Sequence, residues 1–161
     1  MFRFSPTPLN AVPEELLRSP LLDGATLEQR QAFLTDLRHV RADPRTVLYN
    51  AGEPGDTLWI VVSGTVTLTR ETESEQQVEL DRSSAGDVFG EMAVISPATR
   101  AATATTVTQT ELLVLTRGRF RQLIEARDPC AEAILRYATL RICRRLRQAD
   151  ARIDLAHKVK R

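Results

Sequence analysis

Hydrophobic and polar residues alternate with a period of two through the middle of the chain, from Arg45 to Thr116. This pattern predicts short strands, separated by turn clusters that are rich in glycine, proline and aspartate. We expect strands at residues 46–49, 58–62, 65–70, 77–80, 102–107 and 111–115. Many short strands joined in this way are typical of a β-sandwich, a barrel or a jelly roll.

Helical spacing replaces the alternation before the strands. Thr26 is followed three positions later by Gln29, which is the signature of a capping box, and the helix that begins there is expected to end before Pro44. Residues 1–20 are rich in proline and predict an irregular arm that holds at most a short helix near residues 14–18. The apolar positions at helical spacing in the capped helix are Leu27, Phe33, Leu34 and Leu37.

Helical spacing returns after the strands. Phe120, Leu123 and Ile124 mark a first helix, and Asp128 and Pro129 are suited to be the N-cap and first residue of a second one. The second helix is expected to run to about residue 156, roughly 42 Å at 1.5 Å per residue. Because a domain of this size cannot cover a helix of that length, part of it is expected to need a partner.

The long helix carries a heptad pattern. Its seam follows a regular spacing of four and three residues: Leu135, Thr139, Ile142, Leu146, Ala149 and Ile153. The seam favours a parallel homodimer, and the alternative is a helix folded against its own barrel. The chain therefore divides into an arm (1–20), a strand-rich unit with flanking helices (21–128) and a long helix with a basic tail (129–161).

Composition agrees with a globular domain, since 42% of the 161 residues are hydrophobic, 27% are charged and 5% are aromatic. Cys130 and Cys143 form neither a CxxC pair nor a set of metal ligands, and His39 and His157 have no ligand-type neighbours. No segment has the length of a membrane span or the form of a signal peptide. We therefore expect a soluble, cytoplasmic protein without a metal site.

Charge is distributed unevenly along the chain. Residues 1–116 hold nine Arg or Lys against sixteen Asp or Glu, a net of −7, and residues 117–161 hold thirteen against five, a net of +8. A basic end on a helix is most often a solvated face, and otherwise binds an acidic partner or nucleic acid.

The segment 86–104, GDVFGEMAVISPATRAATA, contains the residues best suited to bind a ligand. Glu91 and Arg100 lie nine positions apart and are flanked by small residues. A carboxylate that accepts from hydroxyl groups and a guanidinium that pairs with phosphate suit a ligand that carries both groups. Gly90, Ala101 and Ala102 leave room for backbone N–H groups to approach the phosphate.

On these residues the segment resembles the phosphate-binding cassette of cyclic nucleotide-binding domains, the module found in catabolite activator proteins and in the regulatory subunits of cAMP-dependent protein kinase. Gly52–Asp56, Leu58–Gly64 and Leu115–Phe120 are similar to other turns and strands of that family, so the resemblance covers about residues 20–150. It implies an α+β fold, an eight-stranded β-roll (a double-stranded jelly roll) flanked by N-terminal helices and a long C-terminal helix.

The resemblance also implies the roles of individual residues. Glu91 would accept a hydrogen bond from the ribose 2′-hydroxyl, and Arg100 would pair with the equatorial phosphate oxygen. Ala101 favours cAMP over cGMP, because relatives that prefer cGMP often carry threonine there. Asp150 lies near where the transcription factors of the family carry a Thr-Ser pair, and either accepts from the adenine amino group or faces solvent. The remaining implied contacts are made around Gly90, Met92, Ala93, Ala101 and Ala102.

The expected function is that of a receptor and not an enzyme. Cyclic AMP, with cGMP as the second choice, would bind without a cofactor and reposition the C-terminal helix of a homodimer. The basic helix would contact an unidentified protein partner. Because the chain ends eleven residues beyond Asp150, it leaves no room for a helix-turn-helix, and we expect no direct sequence-specific DNA binding and no membrane association.

Two alternatives remain open. In the first, the protein is a nucleotide-free dimeric docking protein whose pocket is vestigial, with Glu91 and Arg100 paired to each other. In the second, a guanine dinucleotide occupies an altered pocket.

Overall fold

A computed structural model describes the backbone of residues 2–4 and 11–159 and the side chains of residues 11–148. Within these residues the chain forms nine strands and five α-helices. The strands are β1 (Phe2–Phe4), β2 (Arg38–Ala42), β3 (Val47–Tyr49), β4 (Thr57–Ser63), β5 (Thr65–Glu71), β6 (Gln77–Ser84), β7 (Val88–Phe89), β8 (Thr103–Thr106) and β9 (Thr110–Thr116). The helices are α1 (Glu14–Leu17), α2 (Leu27–Asp36), α3 (Met92–Ile95), α4 (Arg117–Glu125) and α5 (Pro129–Val159), with a 3₁₀ turn at Pro20–Leu22.

The strands build two antiparallel sheets. The first has the order β1-β2-β9-β4-β7 and the second the order β3-β8-β5-β6. Strands β2 to β9 form the eight-stranded roll that the resemblance implies, and β1 adds a ninth strand at the edge, paired with β2. The jelly-roll fold with flanking helices is therefore confirmed.

Alternation along β4 creates two hydrophobic cores. Leu58 and Ile60 point to the helices and pack with Leu16, Leu34 and Ile134, in a cluster that joins α1, α2 and α5 to the first sheet. The side chains between them, such as Trp59 and Val61, point into the roll and pack with residues of the second sheet. Burial on both faces explains why β4 is a nearly continuous apolar run.

Three details near the N-terminus differ from the sequence expectations. The capped helix ends at Asp36, before Pro44 as expected, but the residues that follow it form a strand that was not predicted, β2, which pairs with β9. The arm contains β1 as well as the short helix α1. Leu27, which shares the apolar spacing of α2, is 64% exposed because it is the first residue of the helix and lies outside the packed turns. The capping box is confirmed, with Thr26 and Gln29 bonded reciprocally at 2.9 and 3.2 Å.

Among its described side chains, the long helix α5 buries its apolar residues against the domain in its first part. Asp128 caps it by accepting from two backbone N–H groups at 2.9 and 3.0 Å, and its inner residues Ile134 and Ala138 are buried. Farther along, Leu140 and Leu146 are each 63% exposed. None of the described helices, α5 included, has an apolar stretch of the length that a bilayer requires.

Candidate functional site

A small, partly open cavity lies between the second sheet, α3 and α5. Seven of the eight residues predicted to bind ligand line it: Gly90, Glu91, Met92, Ala93, Arg100, Ala101 and Ala102. The eighth, Asp150, lies in α5, and its side chain is outside the described residues. Four lining residues were not predicted: Tyr49, Leu68, Thr99 and Arg145.

The turn between β3 and β4 holds the Arg100 segment in place. The backbone N–H of Arg100 donates to the carbonyl of Glu53 at 2.8 Å, and the N–H of Gly52 donates to the carbonyl of Arg100, also at 2.8 Å. Pro54 and Thr99 form an isolated bridge beside these bonds. The turn therefore fixes the direction from which the Arg100 side chain enters the cavity.

Two glycines make the space that Arg100 needs. Gly90 adopts a φ of +71°, and a Cβ on it would lie 2.8 Å from Nη1 of Arg100. A Cβ on Gly55 would lie 2.9 Å from Nε of Arg100 and 2.6 Å from Cβ of Ala93. Side chains at these two positions would collide with the guanidinium or with α3.

Arg100 is buried but only partly satisfied. It is 7% exposed; Nη1 donates to the carbonyls of Thr57 (2.7 Å) and Gly90 (3.4 Å), and Nη2 donates to the Thr57 hydroxyl (2.6 Å). Of its five N–H groups, Nε–H has no hydrogen-bond partner among the described residues, and Nη2, which carries two N–H groups, has one acceptor among them, the Thr57 hydroxyl. These two donors lie along one edge of the guanidinium, the edge that binds an oxyanion in a bidentate manner.

Burial lowers the pKa of the Arg100 guanidinium below its usual value; the Tyr49 hydroxyl and Asp56 oppose the shift and the charge of Arg117 adds to it. The guanidinium nevertheless stays protonated, because arginine is not deprotonated in proteins. The Tyr49 ring lies against it, with Cζ of Arg100 4.0 Å from the ring centroid. The site therefore holds a desolvated cation whose free N–H groups an anion would satisfy.

Glu91 faces the cavity from the start of α3 and is 1% exposed. Its Oε1 accepts from Nη1 of Arg145 at 3.2 Å. The open alternative in which Glu91 pairs with Arg100 is wrong, because Arg100 is bonded to Thr57 and Glu91 is bonded to α5. The carboxylate avoids the cost of an unpaired buried charge through this second arginine.

A cluster of charged residues joins α5 to the roll next to the cavity. Asp81 of β6 accepts from Nη2 of Arg141 at 2.5 Å and from both Nε and Nη2 of Arg145. Arg141 also donates to the carbonyl of Val88 at 2.7 Å. Burial raises the pKa of Asp81, but the two arginines more than offset this, and the pKa lies below its usual value.

The cavity carries a small positive charge. Its charged lining residues in the described part of the chain are Glu91, Arg100 and Arg145. A ligand with one negative charge would neutralise it, and Glu91 would be the acceptor for a hydroxyl group of that ligand.

A family model for the cyclic nucleotide-binding domain matches residues 39–127, more than half of the chain and the whole cavity-forming segment of the roll. The chain belongs to the cyclic nucleotide-binding domain family. This result confirms the resemblance that the cassette residues carry.

Members of this family with a similar sequence are bacterial regulators. The chain is 29% identical over 137 residues to the CRP-like cAMP-activated global transcriptional regulator of Mycobacterium tuberculosis, covering 85% of this chain and 59% of the relative. It is 33% identical over 137 residues to the cyclic AMP receptor protein of Thermus thermophilus, covering 85% of this chain and 62% of the relative. The chain thus spans about three fifths of the length of these relatives.

Solved structures of the family agree with the fold. The crystal structure of the Thermus thermophilus catabolite activator protein superposes with a TM-score of 0.75 at 33% identity, covering 85% of this chain and 62% of that one. The c-di-GMP responsive global regulator CLP of Xanthomonas campestris superposes with a TM-score of 0.70 at 27% identity, covering 80% of this chain and 63% of that one.

Sequence reasoning missed Tyr49 and Arg145 as lining residues. Tyr49 has the appearance of an ordinary strand aromatic, and only its place just before the β3–β4 turn could have indicated the cavity. Arg145 lies in a conspicuous Arg-Arg-Leu run, at Arg144 to Leu146. That run signals a basic helix, and only the fold brings one of its members to Glu91, 54 positions away.

Proposed function

We propose that this domain is a receptor for a cyclic nucleotide, with cAMP as its preferred ligand, and that ligand binding repositions α5. The observation that carries the proposal is the buried guanidinium of Arg100, which keeps an unfilled edge beside a cavity whose acceptor is Glu91. A cyclic phosphodiester would fill the edge, and the ribose hydroxyl would donate to Glu91.

The preference for cAMP rests on Ala101, as the family resemblance implies. The side chain of Ala101 lines the cavity and offers no hydroxyl to a guanine base. An Ala101→Thr variant is therefore expected to gain affinity for cGMP relative to cAMP.

We propose that the contact between Glu91 and Arg145 transmits ligand binding to α5. In the structure, Arg145 is shared between Glu91 inside the cavity and Asp81 outside it. A nucleotide that engages Glu91 competes with Arg145 and changes the contacts that hold α5 against the roll. The outcome is a population shift between positions of α5.

The output is proposed to be a contact made by α5, in a homodimer and toward a protein partner. Support comes from the two exposed leucines Leu140 and Leu146 and from the net charge of +8 that the sequence places after residue 116. Leu146 lies on the heptad seam, where an exposed apolar residue matches a second helix of the same kind, whereas Leu140 lies off that seam.

Calorimetry with cAMP, cGMP and c-di-GMP tests the ligand directly. We expect binding of cAMP in the micromolar range or tighter, and its loss in Arg100→Ala. Removing one partner of a buried charge pair costs about 3–5 kcal/mol, or a hundred- to several-thousand-fold in affinity. Arg100→Lys keeps the charge but not the bidentate edge and should bind with intermediate affinity.

A matched control is Arg41→Ala, because Arg41 lies on β2 outside the cavity, is 61% exposed and pairs with Glu111. It should bind cAMP like the wild type, and thermal melts should show that all three variants are folded. Tight binding of c-di-GMP without binding of cAMP would contradict cAMP as the ligand and favour a guanine dinucleotide. The Xanthomonas regulator is described as responsive to c-di-GMP. Folded wild-type protein that binds none of the three would favour the docking protein with a vestigial pocket.

A further inference from the structure

Arg117, the first residue of α4, bonds to two separate segments at once. Its Nε donates to the carbonyl of Ala93 in α3 at 2.7 Å, and its Nη2 donates to the carbonyl of Gly55. Its backbone N–H donates to the carbonyl of Asp56 at 2.6 Å. One side chain therefore joins α4 to α3 and to the β3–β4 turn.

Both segments that Arg117 holds form walls of the Arg100 site. Gly55 lies against Nε of Arg100, and Ala93 lies against Gly55, as the close approach of a Cβ built on Gly55 shows. Ala93 lines the cavity, and its carbonyl belongs to the last turn of α3, where carbonyls lack partners within the helix. Arg117 thus supports the cassette from behind, outside the ligand cavity.

Helix α5, which follows α4 directly, contacts α3 as well. Phe120 anchors α4 in the core at 5% exposure, and α4 passes into α5 through a tight turn in which Asp128 N–H donates to the carbonyl of Leu123 at 2.9 Å. From α5, Arg145 contacts Glu91 at the start of α3. Helix α3, four residues long, is therefore contacted by an arginine of α5 at its N-cap, Glu91, and by an arginine of α4 at the carbonyl of its second residue, Ala93.

We propose that Arg117 is a positioning residue that couples the position of α3 to that of α4, so that a change at the cassette reaches α5. The idea rests on the proposed function for its ligand but has a separate test in the ligand-free protein. A fork that donates to two carbonyls suits this role, because arginine presents fixed parallel donors and lysine does not.

The ligand-free test compares Arg117→Met with Arg119→Met. Arg119 is a matched control, because it lies on the same helix and pairs with Asp36 at 2.9 Å, away from the cassette. Hydrogen exchange measured by mass spectrometry should rise about tenfold or more at residues 53–56 and 92–95 in Arg117→Met, as two charged hydrogen bonds are lost. It should not rise there in Arg119→Met. Unchanged exchange at both segments in Arg117→Met would overturn the proposal.

The second test separates affinity from signal. Cys143 is exposed, whereas Cys130 is buried and burial raises the pKa of its thiol to about 11, so a thiol reagent should label Cys143 first. In the wild type and in Arg119→Met, saturating cAMP should change the labelling rate of Cys143. In Arg117→Met, cAMP should still bind, about tenfold more weakly, and the change at saturation should be lost.

Relative to Arg117→Met, Arg117→Lys should recover part of the cAMP affinity and a smaller part of the change in Cys143 labelling. One ammonium group cannot donate to both carbonyls as the guanidinium does. A full Cys143 response in saturated Arg117→Met would refute the coupling. Failure of the wild type to bind cAMP would refute the proposed function instead, and the exchange at residues 53–56 and 92–95 would still decide the role of Arg117.

Discussion

Gly90 offers the sharpest test of how closely the cassette is packed around Arg100. Gly90 has a φ of +71°, and a Cβ there would lie 2.8 Å from Nη1 of Arg100 and 3.1 Å from the carbonyl oxygen of Thr57. The guanidinium is the end of a flexible side chain, so it can move, whereas the Thr57 carbonyl belongs to a central strand. Gly90→Ala is therefore expected to fold with Arg100 displaced.

The two costs of this substitution differ in size and in what they affect. A side chain in the left-handed region costs about 1–2 kcal/mol, which lowers the Tm of a domain of this size by about 2–8 °C. Displacing Arg100 from the anion removes a charged hydrogen bond, worth about 1.5–3 kcal/mol, or about 10- to 150-fold in cAMP affinity. The loss of binding should thus exceed anything that backbone strain alone produces.

Gly24→Ala supplies the matched control. Gly24 has a φ of +99°, and a Cβ on it would lie 3.4 Å from Nη2 of Arg136, an ordinary contact far from the cassette. It should lose a similar amount of Tm and keep the wild-type Kd for cAMP, measured by calorimetry. The single tryptophan, Trp59, lies beside Gly90, and its fluorescence should report the displacement. Equal affinities in the two variants would refute the packing argument.

Three further predictions concern α5. The arginine partners of Asp81 hold its pKa below the usual 3.8. The carboxylate therefore contributes its full stabilisation above pH 3.8 and loses it as the pH falls through the lower pKa of the folded state. The difference in free energy of urea unfolding between wild type and Asp81→Asn should shrink from pH 5 to pH 3. Asp128→Ala should cost about 1 kcal/mol of stability in the same assay, since the N-cap of α5 is lost. Leu146→Glu should dissociate the proposed homodimer in light scattering, whereas Leu140→Glu should not, because both leucines are 63% exposed but only Leu146 lies on the heptad seam. Dissociation by Leu140→Glu alone would contradict the parallel seam.

Sequence reasoning succeeded where the signal is local. The alternation of β4, the capping box at Thr26 and the glycine turns each require only neighbouring residues, and the cassette motif brings Glu91 and Arg100 within one short segment. From these features the sequence predicts the roll, its flanking helices and seven of the residues that line the cavity.

It failed where a distant partner decides the outcome. Residues 38–42 read RHVRA, a charged segment that becomes β2 because Val40 and Ala42 pack inside while the backbone pairs with β9. The partner of Glu91 is likewise set by the path of α5 across the roll and not by spacing. Arg117 resembles any basic residue at a helix start, and only the fold places Ala93 and Gly55 within its reach.

In the proposed receptor, the contact between Glu91 and Arg145 would link cAMP affinity to the docking of α5. Arg145 neutralises a carboxylate that is 1% exposed, so removing Arg145 leaves Glu91 with the cost of an unpaired buried charge. In the proposed receptor the nucleotide engages the same carboxylate and therefore changes the free energy that holds α5. Because coupling between two binding events is reciprocal, the factor by which docking of α5 changes cAMP affinity would equal the factor by which bound cAMP changes the docking equilibrium of α5. Arg145→Ala should therefore change both the affinity for cAMP and the docking of α5 in the proposed receptor.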